Sequence, residues 1–301
     1  MVKLIGDTLI RIKCLRIFVR YVKRKFRSEK KSVLRRDIQL LMEQQELLMY
    51  SFLSTRLTDS DRHKQQILTA QPTLTPAENP PSLRENYLTY EQSLSELELI
   101  VPDTYKVWRS LQENGEKAYL TDMESNCAVD SRKDVEIYKK FASFYLKGTV
   151  LDIGCGPKKP AYLNDYTSSL IYGIDPMITE TQDDFTFMRN IAEFLPWEDD
   201  SFDTIITGTS LDHILLLDRA INEMKRCLKP TGTLLCWIAV IKGSRKYDPY
   251  LPNIKPIDNY HLFHIDRPWF EELMADSGFD IIDHLNDIIG NHWYAFKHTL
   301  K

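Results

Sequence analysis

Glycine, paired cysteines and an unbroken apolar start are what this 301-residue sequence has least of. Eleven glycines exclude a collagen-like repeat, and 43% apolar with 11% aromatic residues exclude a disordered chain. The five cysteines, Cys14, Cys127, Cys155, Cys227 and Cys236, form no C-x-x-C pair and no regular spacing. Neither a zinc ribbon nor a disulfide framework is therefore expected, and a reducing, cytoplasmic compartment is the simpler setting. Arg11, Lys13, Arg16 and Arg20 interrupt the apolar residues near the start, so the segment reads as neither a secretory signal nor a membrane span.

Charge is unevenly spread. Residues 1–36 hold thirteen Lys or Arg against Asp7 and Glu29, a balance of +11 in a chain whose formal net charge is −4. Ile5, Leu9, Ile12, Leu15, Val19, Val22 and Phe26 fall on one helical stripe, with most basic residues off it. Such a basic amphipathic helix suits an anionic membrane surface, at the inner face of a membrane, or a protein partner. Nucleic acid is disfavoured, since none of its recognition motifs is present. Leu34, Ile38, Leu41, Leu48 and Phe52 follow in near-heptad spacing, which completes a helical, coiled-coil-like extension over 1–56 capable of self-association.

Residues 57–92 carry Pro72, Pro76, Pro80 and Pro81 among polar residues and read as a linker; 93–130 read as a helical approach segment. From 131 to 301 short β-rich runs alternate with helical ones. The strands are expected at 150–153, 170–174, 186–189, 204–207, 233–240, 279–284 and 293–297, with helices at 215–228 and 268–276. That order predicts an α/β domain, a Rossmann-like seven-stranded, mostly parallel sheet with helices on both faces, preceded by the helical extension.

The first strand runs into V-L-D-I-G-C-G-P, residues 150–157. A third glycine, which the dinucleotide fingerprint requires, is replaced by Lys159, and no P-loop occurs. The second strand ends in Asp175, nineteen residues past Gly156, where a carboxylate can accept both ribose hydroxyls. Asp152 lies beneath the turn, where its charge would suit a cationic ligand and repel phosphate. Turn and acid together describe a nucleoside site without a pyrophosphate clamp.

These residues resemble the class I S-adenosylmethionine-dependent methyltransferases, within the group that includes the quinone methyltransferases. Further stretches match in order: I-Y-G-I-D at 171–175, A-E-F-L-P-W-E-D-D-S-F-D at 192–203, L-D-H at 211–213 and E-M-K-R-C-L-K-P-T-G-T-L-L at 223–235. The resemblance implies S-adenosylmethionine as cofactor, with Asp152, Gly154 and Gly156 at its methionine part and Asp175 at its ribose. It also implies backbone amides around Ile191 and Ala192 at the adenine, and the Thr207 carbonyl at the amino group. Ile191 stands where the family usually has an acid, so adenine recognition is expected to lean on backbone, Asn190 or Glu193.

In-line displacement at the methyl carbon depends on positioning, and an oxygen nucleophile also needs a base. His213 is the candidate base, beside Asp212. Tyr247, Tyr250, Tyr260, His261 and His264 lie in or near the 242–266 segment expected to wall the substrate site. No metal is expected, because no ligand spacing is visible. The expected acceptor is a small molecule, glycan or lipid-linked intermediate, by analogy in cell-envelope polysaccharide synthesis. A quinone-like C-methyltransferase and a non-catalytic cofactor-binding scaffold are the alternatives.

Overall fold

A computed structural model describes residues 80–299 apart from 122–131, 157–158, 168–169, 178–184, 242–243 and 245, together with residues 44 and 48. The chain divides into two compact units, Met1–Asp59 with Asp287–Ile289, and Ser60–Asn286 with Gly290–Lys301. The expected amphipathic and coiled-coil-like helices of 1–56 lie almost wholly outside the described residues, as does most of the linker. The sheet and the helices around it belong to the second unit.

Its seven strands, β1 (Val150–Ile153), β2 (Ile171–Asp175), β3 (Thr186–Arg189), β4 (Phe202–Gly208), β5 (Leu228–Ala239), β6 (Phe279–Asn286) and β7 (Asn291–His298), form one sheet of order β3-β2-β1-β4-β5-β7-β6. The first five run parallel, and β7 pairs antiparallel with both β5 and β6. All four residues of β1 are buried, as befits a central strand of a covered parallel sheet, so its V-L-D-I sequence shows no alternation. Strand order reverses beside β1, which opens the crevice at the carboxyl ends of β1 and β4 where ligands of such sheets bind.

Among the described residues, five helices accompany the sheet: α1 (Tyr90–Ile100), α2 (Pro102–Thr121), α3 (Lys133–Ala142), α4 (Leu217–Cys227) and α5 (Arg267–Asp276). Leu217, Ala220, Ile221, Met224 and Cys227 form the buried stripe of α4. The Asp266 side chain accepts from the Trp269 amide to start α5, and a capping box between Thr89 and Gln92 starts α1. No helix among the described residues is long and apolar enough to cross a membrane.

Two observations bear on how the segments before the sheet are organised. The end of the expected linker is docked: Arg84 N–H donates to the Pro196 carbonyl at 2.8 Å, Glu198 N–H donates to the Ser82 carbonyl at 3.0 Å, and Leu83 bridges Trp197. Backbone partners on 196–198 hold this stretch where composition alone suggested none. Nor does a boundary at 131 divide the core, because Tyr90, Leu97, Val101, Trp108 and Leu111 of α1 and α2 belong to the same buried cluster as β1 and β4.

Candidate cofactor and acceptor site

The turn after β1 depends on its glycines. Gly154 and Gly156 have φ of +73° and +71°, a region L side chains rarely adopt. A Cβ on Gly154 would stand 2.4 Å from Ser210 Cβ, and one on Gly156 2.7 Å from the Tyr119 hydroxyl. The turn is bonded to β2, with Gly154 N–H donating to the Ile174 carbonyl at 2.8 Å.

Asp175, at the tip of β2, accepts from Gly156 N–H at 2.9 Å and Met177 N–H at 2.8 Å. Burial pushes its carboxyl up to about 6, against which these backbone bonds act. Each carboxylate oxygen keeps accepting capacity, and Asp175 lines the cavity beyond the turn. The cavity measures about 620 Å³, within the range of roughly 300–1,000 Å³ usual for small-molecule sites.

Ile153, Gly154, Asp175, Ile191 and Ala192 all reach this cavity, so one space gathers most of the residues expected at the cofactor. Others it does not gather. Asp152 is fully buried behind the turn, where the Tyr162 hydroxyl donates to its two oxygens at 3.1 and 3.0 Å. Burial raises its pKa well above the ordinary value, opposed by that hydroxyl and assisted by the charge of Asp175. Asp152 is tied to the Ala161–Leu163 turn through that hydroxyl and does not reach the cavity. The Thr207 carbonyl accepts from the Tyr138 hydroxyl at 2.7 Å.

The residues expected on the adenine side, Asn190, Ile191, Ala192 and Glu193, all line the cavity. Asn190, Ile191 and Glu193 also bond within the protein. Ile191 N–H donates to Asn190 Oδ1 at 2.9 Å, and Asn190 Nδ2 donates to the Leu88 carbonyl at 2.8 Å. Glu193 Oε1 accepts from Leu215 N–H and Leu216 N–H at 3.0 and 3.1 Å, tying the Ala192–Phe194 turn to the start of α4. Burial pushes this carboxyl up to about 7. Asn190 and Glu193 thus serve the scaffold around the cavity first.

Two walls were not foreseen. Trp108, Leu111, Gln112, Gly115 and Tyr119 on one face of α2 close the cavity, with Trp108 Nε1–H donating to the His213 carbonyl at 2.7 Å. Their helical spacing was visible, but an apolar helical stripe does not announce that a ligand lies under it. Arg132, just before α3, brings a guanidinium to the cavity while paired with Asp134 at 2.7 Å. A cationic group here, together with the ribose-type acceptor Asp175, fits the amino-acid carboxylate and ribose of S-adenosylmethionine.

The far end of the cavity is polar. His213 lies there on the Leu211–His213 turn that follows β4, and burial lowers its pKa, favouring the neutral imidazole, against the raising effect of Asp212. His261 packs on it with ring centroids 4.4 Å apart, and Tyr260 lines the same end. Tyr247 instead stacks on Phe263 at 4.0 Å and donates to the Leu215 carbonyl, a packing role, while Tyr250 is exposed. His264 stands behind His261, 3.3 Å from Asp258. Spacing in sequence showed no metal-ligand set, yet the fold draws two together: Asp212, His213 and His261, and Asp258, His261 and His264, each offering ligand atoms within 4.8 Å of one another.

Comparison with known proteins agrees with this geometry. Residues 151–236 match the family described as a methyltransferase domain. Over 154 residues the chain is 29% identical to the ubiquinone/menaquinone biosynthesis C-methyltransferase UbiE of Neisseria gonorrhoeae, a match covering 44% of this chain and 61% of that one. UbiE of Escherichia coli O1:K1 is 32% identical over 119 residues, 33% of this chain and 47% of the relative. The chain thus spans less than two thirds of the curated relatives it matches. Among solved structures, the 1,6-didemethyltoxoflavin N1-methyltransferase of Burkholderia thailandensis, with bound 1,6-didemethyltoxoflavin and S-adenosylhomocysteine, aligns over 77% of this chain and 100% of its own at 14% identity and a TM-score of 0.47. The glycine turn, the strand-tip acid and the match of residues 151–236 to a methyltransferase domain together support a class I S-adenosylmethionine-dependent methyltransferase.

Proposed function

We propose that this protein transfers a methyl group from S-adenosylmethionine to a polar small-molecule, glycan or lipid-linked acceptor. The observation that carries the reading is a single cavity with Gly154 and Asp175 at one end and His213, Tyr260 and His261 at the other. When bound, the cofactor supplies a methyl group made electrophilic by its sulfonium. Asp175 holds the ribose hydroxyls and Arg132 pairs with the amino-acid carboxylate. The Gly154 turn lets backbone come close to the ligand, and α2 keeps water out from above. The acceptor is held at the polar end, where neutral His213 faces it and can receive its proton. Orientation of the two reactants in one closed space supplies much of the rate.

The basic residues of 1–36 support action at an anionic membrane surface on the cytoplasmic side, and a lipid-linked acceptor of a cell-envelope pathway suits that address. A second reading, C-methylation of a quinone-like ring, is favoured by the similarity to UbiE. The test is incubation of the full chain with methyl-labelled S-adenosylmethionine and fractionated membrane and soluble extracts. The reading expects label on an oxygen or nitrogen of a polar product; label on a ring carbon selects the second reading, and a cofactor-binding chain that labels nothing contradicts both.

A further inference from the structure

We propose that Asp212, His213 and His261 form a divalent transition-metal site at the acceptor end of the cavity, with Asp258 as the carboxylate that orients His261. The ligands come from two distant segments. Asp212 and His213 are on the turn after β4, and His261 is on the loop that closes over it, held by the Ile257 N–H bond to the His261 carbonyl at 2.9 Å.

The arrangement has the second layer that metal-binding histidines use. His261 Nδ1 lies 2.8 and 3.0 Å from the two oxygens of Asp258, which fixes the ring and turns Nε2 the other way. Asp258 is itself fixed, accepting from Tyr260 N–H at 2.8 Å and His261 N–H at 2.9 Å. The His213 ring packs against that of His261, with centroids 4.4 Å apart. His261 is oriented before any ligand arrives.

A hydrogen-bonded knot does not account for the inner side of the cluster. His261 Nε2 and Asp212 Oδ2 are 3.9 Å apart, beyond hydrogen-bond length yet within the 4.8 Å that encloses all three ligand atoms. Metal bonds of about 2.0–2.2 Å place neighbouring ligand atoms roughly 3–3.4 Å apart, so small rotamer changes close the set around an ion. Two imidazoles and one carboxylate suit zinc, cobalt or iron(II) more than magnesium or calcium. Since His213 and His261 line the cavity, remaining coordination positions face the acceptor, and in the metal-bound form the ion holds an acceptor oxygen and lowers its pKa, which replaces proton transfer to His213. That last role rests on the methyl-transfer reading; ion binding itself does not.

The experiment uses the full chain stripped with a chelator and titrated with Co²⁺ and Zn²⁺, following heat and the visible spectrum of the cobalt form. S-adenosylhomocysteine is titrated into the same preparations, which separates failure of the metal site from failure of the cofactor site. One equivalent with micromolar or tighter affinity is expected, with a cobalt spectrum of nitrogen and oxygen ligation. His261→Ala and His213→Ala abolish it. Asp258→Asn, which keeps the size of the side chain, weakens it roughly 10- to 100-fold with the fold intact by circular dichroism. Absence of binding by folded, S-adenosylhomocysteine-competent protein overturns the proposal, as does binding that survives both histidine substitutions.

Discussion

Replacing Gly154 by alanine tests whether the turn after β1 is dictated by backbone geometry. The substitution places a Cβ at a φ of +73° and 2.4 Å from Ser210 Cβ. An L residue in the left-handed region costs about 1–2 kcal/mol. Pushing Ser210 aside costs a further ~1–3 kcal/mol, since its hydroxyl donates to the Ile153 carbonyl at 2.7 Å and that bond is strained or lost. The expected total is about 3 kcal/mol, read from urea unfolding followed by circular dichroism. Adding Ser210→Gly relieves the contact but leaves the backbone cost, so the double variant should recover only part of the loss. A loss below about 1 kcal/mol, or full rescue by the second substitution, refutes the reasoning.

Other residues give independent tests. Glu193, with its carboxyl pushed up to about 7, holds a proton in the folded state that the unfolded chain releases, so its contribution to stability falls as pH rises from about 4.5 to 7. Glu193→Gln should therefore be stabilised relative to the parent at pH 8 by about 2–3 kcal/mol and little changed near pH 4. Parallel unfolding curves for the two proteins across that range would contradict it. Arg132→Met should weaken S-adenosylhomocysteine binding about 10- to 100-fold through loss of a charge-assisted bond. Methylthioadenosine, which lacks the amino-acid carboxylate, should bind both forms alike; equal losses for the two ligands would remove Arg132 from that role. Trp108→Phe deletes the bond to the His213 carbonyl and should cost about 1 kcal/mol in unfolding free energy, an unchanged value meaning the bond contributes nothing.

The sheet was legible because β-rich runs such as 150–153 and 204–207 sit between turn residues, and their order implies parallel pairing. Gly154 and Asp175 were legible for a related reason: the strand-turn arrangement and the nineteen-residue interval are local features of the chain. The burial of Asp152 under a hydroxyl was not legible, because that hydroxyl belongs to Tyr162, on a separate turn. The bond from the Tyr138 hydroxyl of α3 to the Thr207 carbonyl was equally hidden, since Tyr138 lies 69 residues earlier. The α2 wall shows the same difficulty, since its apolar spacing reads equally as packing against a core. The histidine cluster is the clearest case: His213 and His261 become neighbours only when a loop folds back onto the β4 turn.

The central claim is that Gly154 and Asp175 form the cofactor end of a working cavity. Calorimetric titration of the full chain with S-adenosylhomocysteine, beside Asp175→Ala checked for fold by circular dichroism, tests it most directly. The account predicts micromolar binding by the parent and none by the folded variant. Failure of the folded parent to bind, or equal affinity in the two, would contradict it.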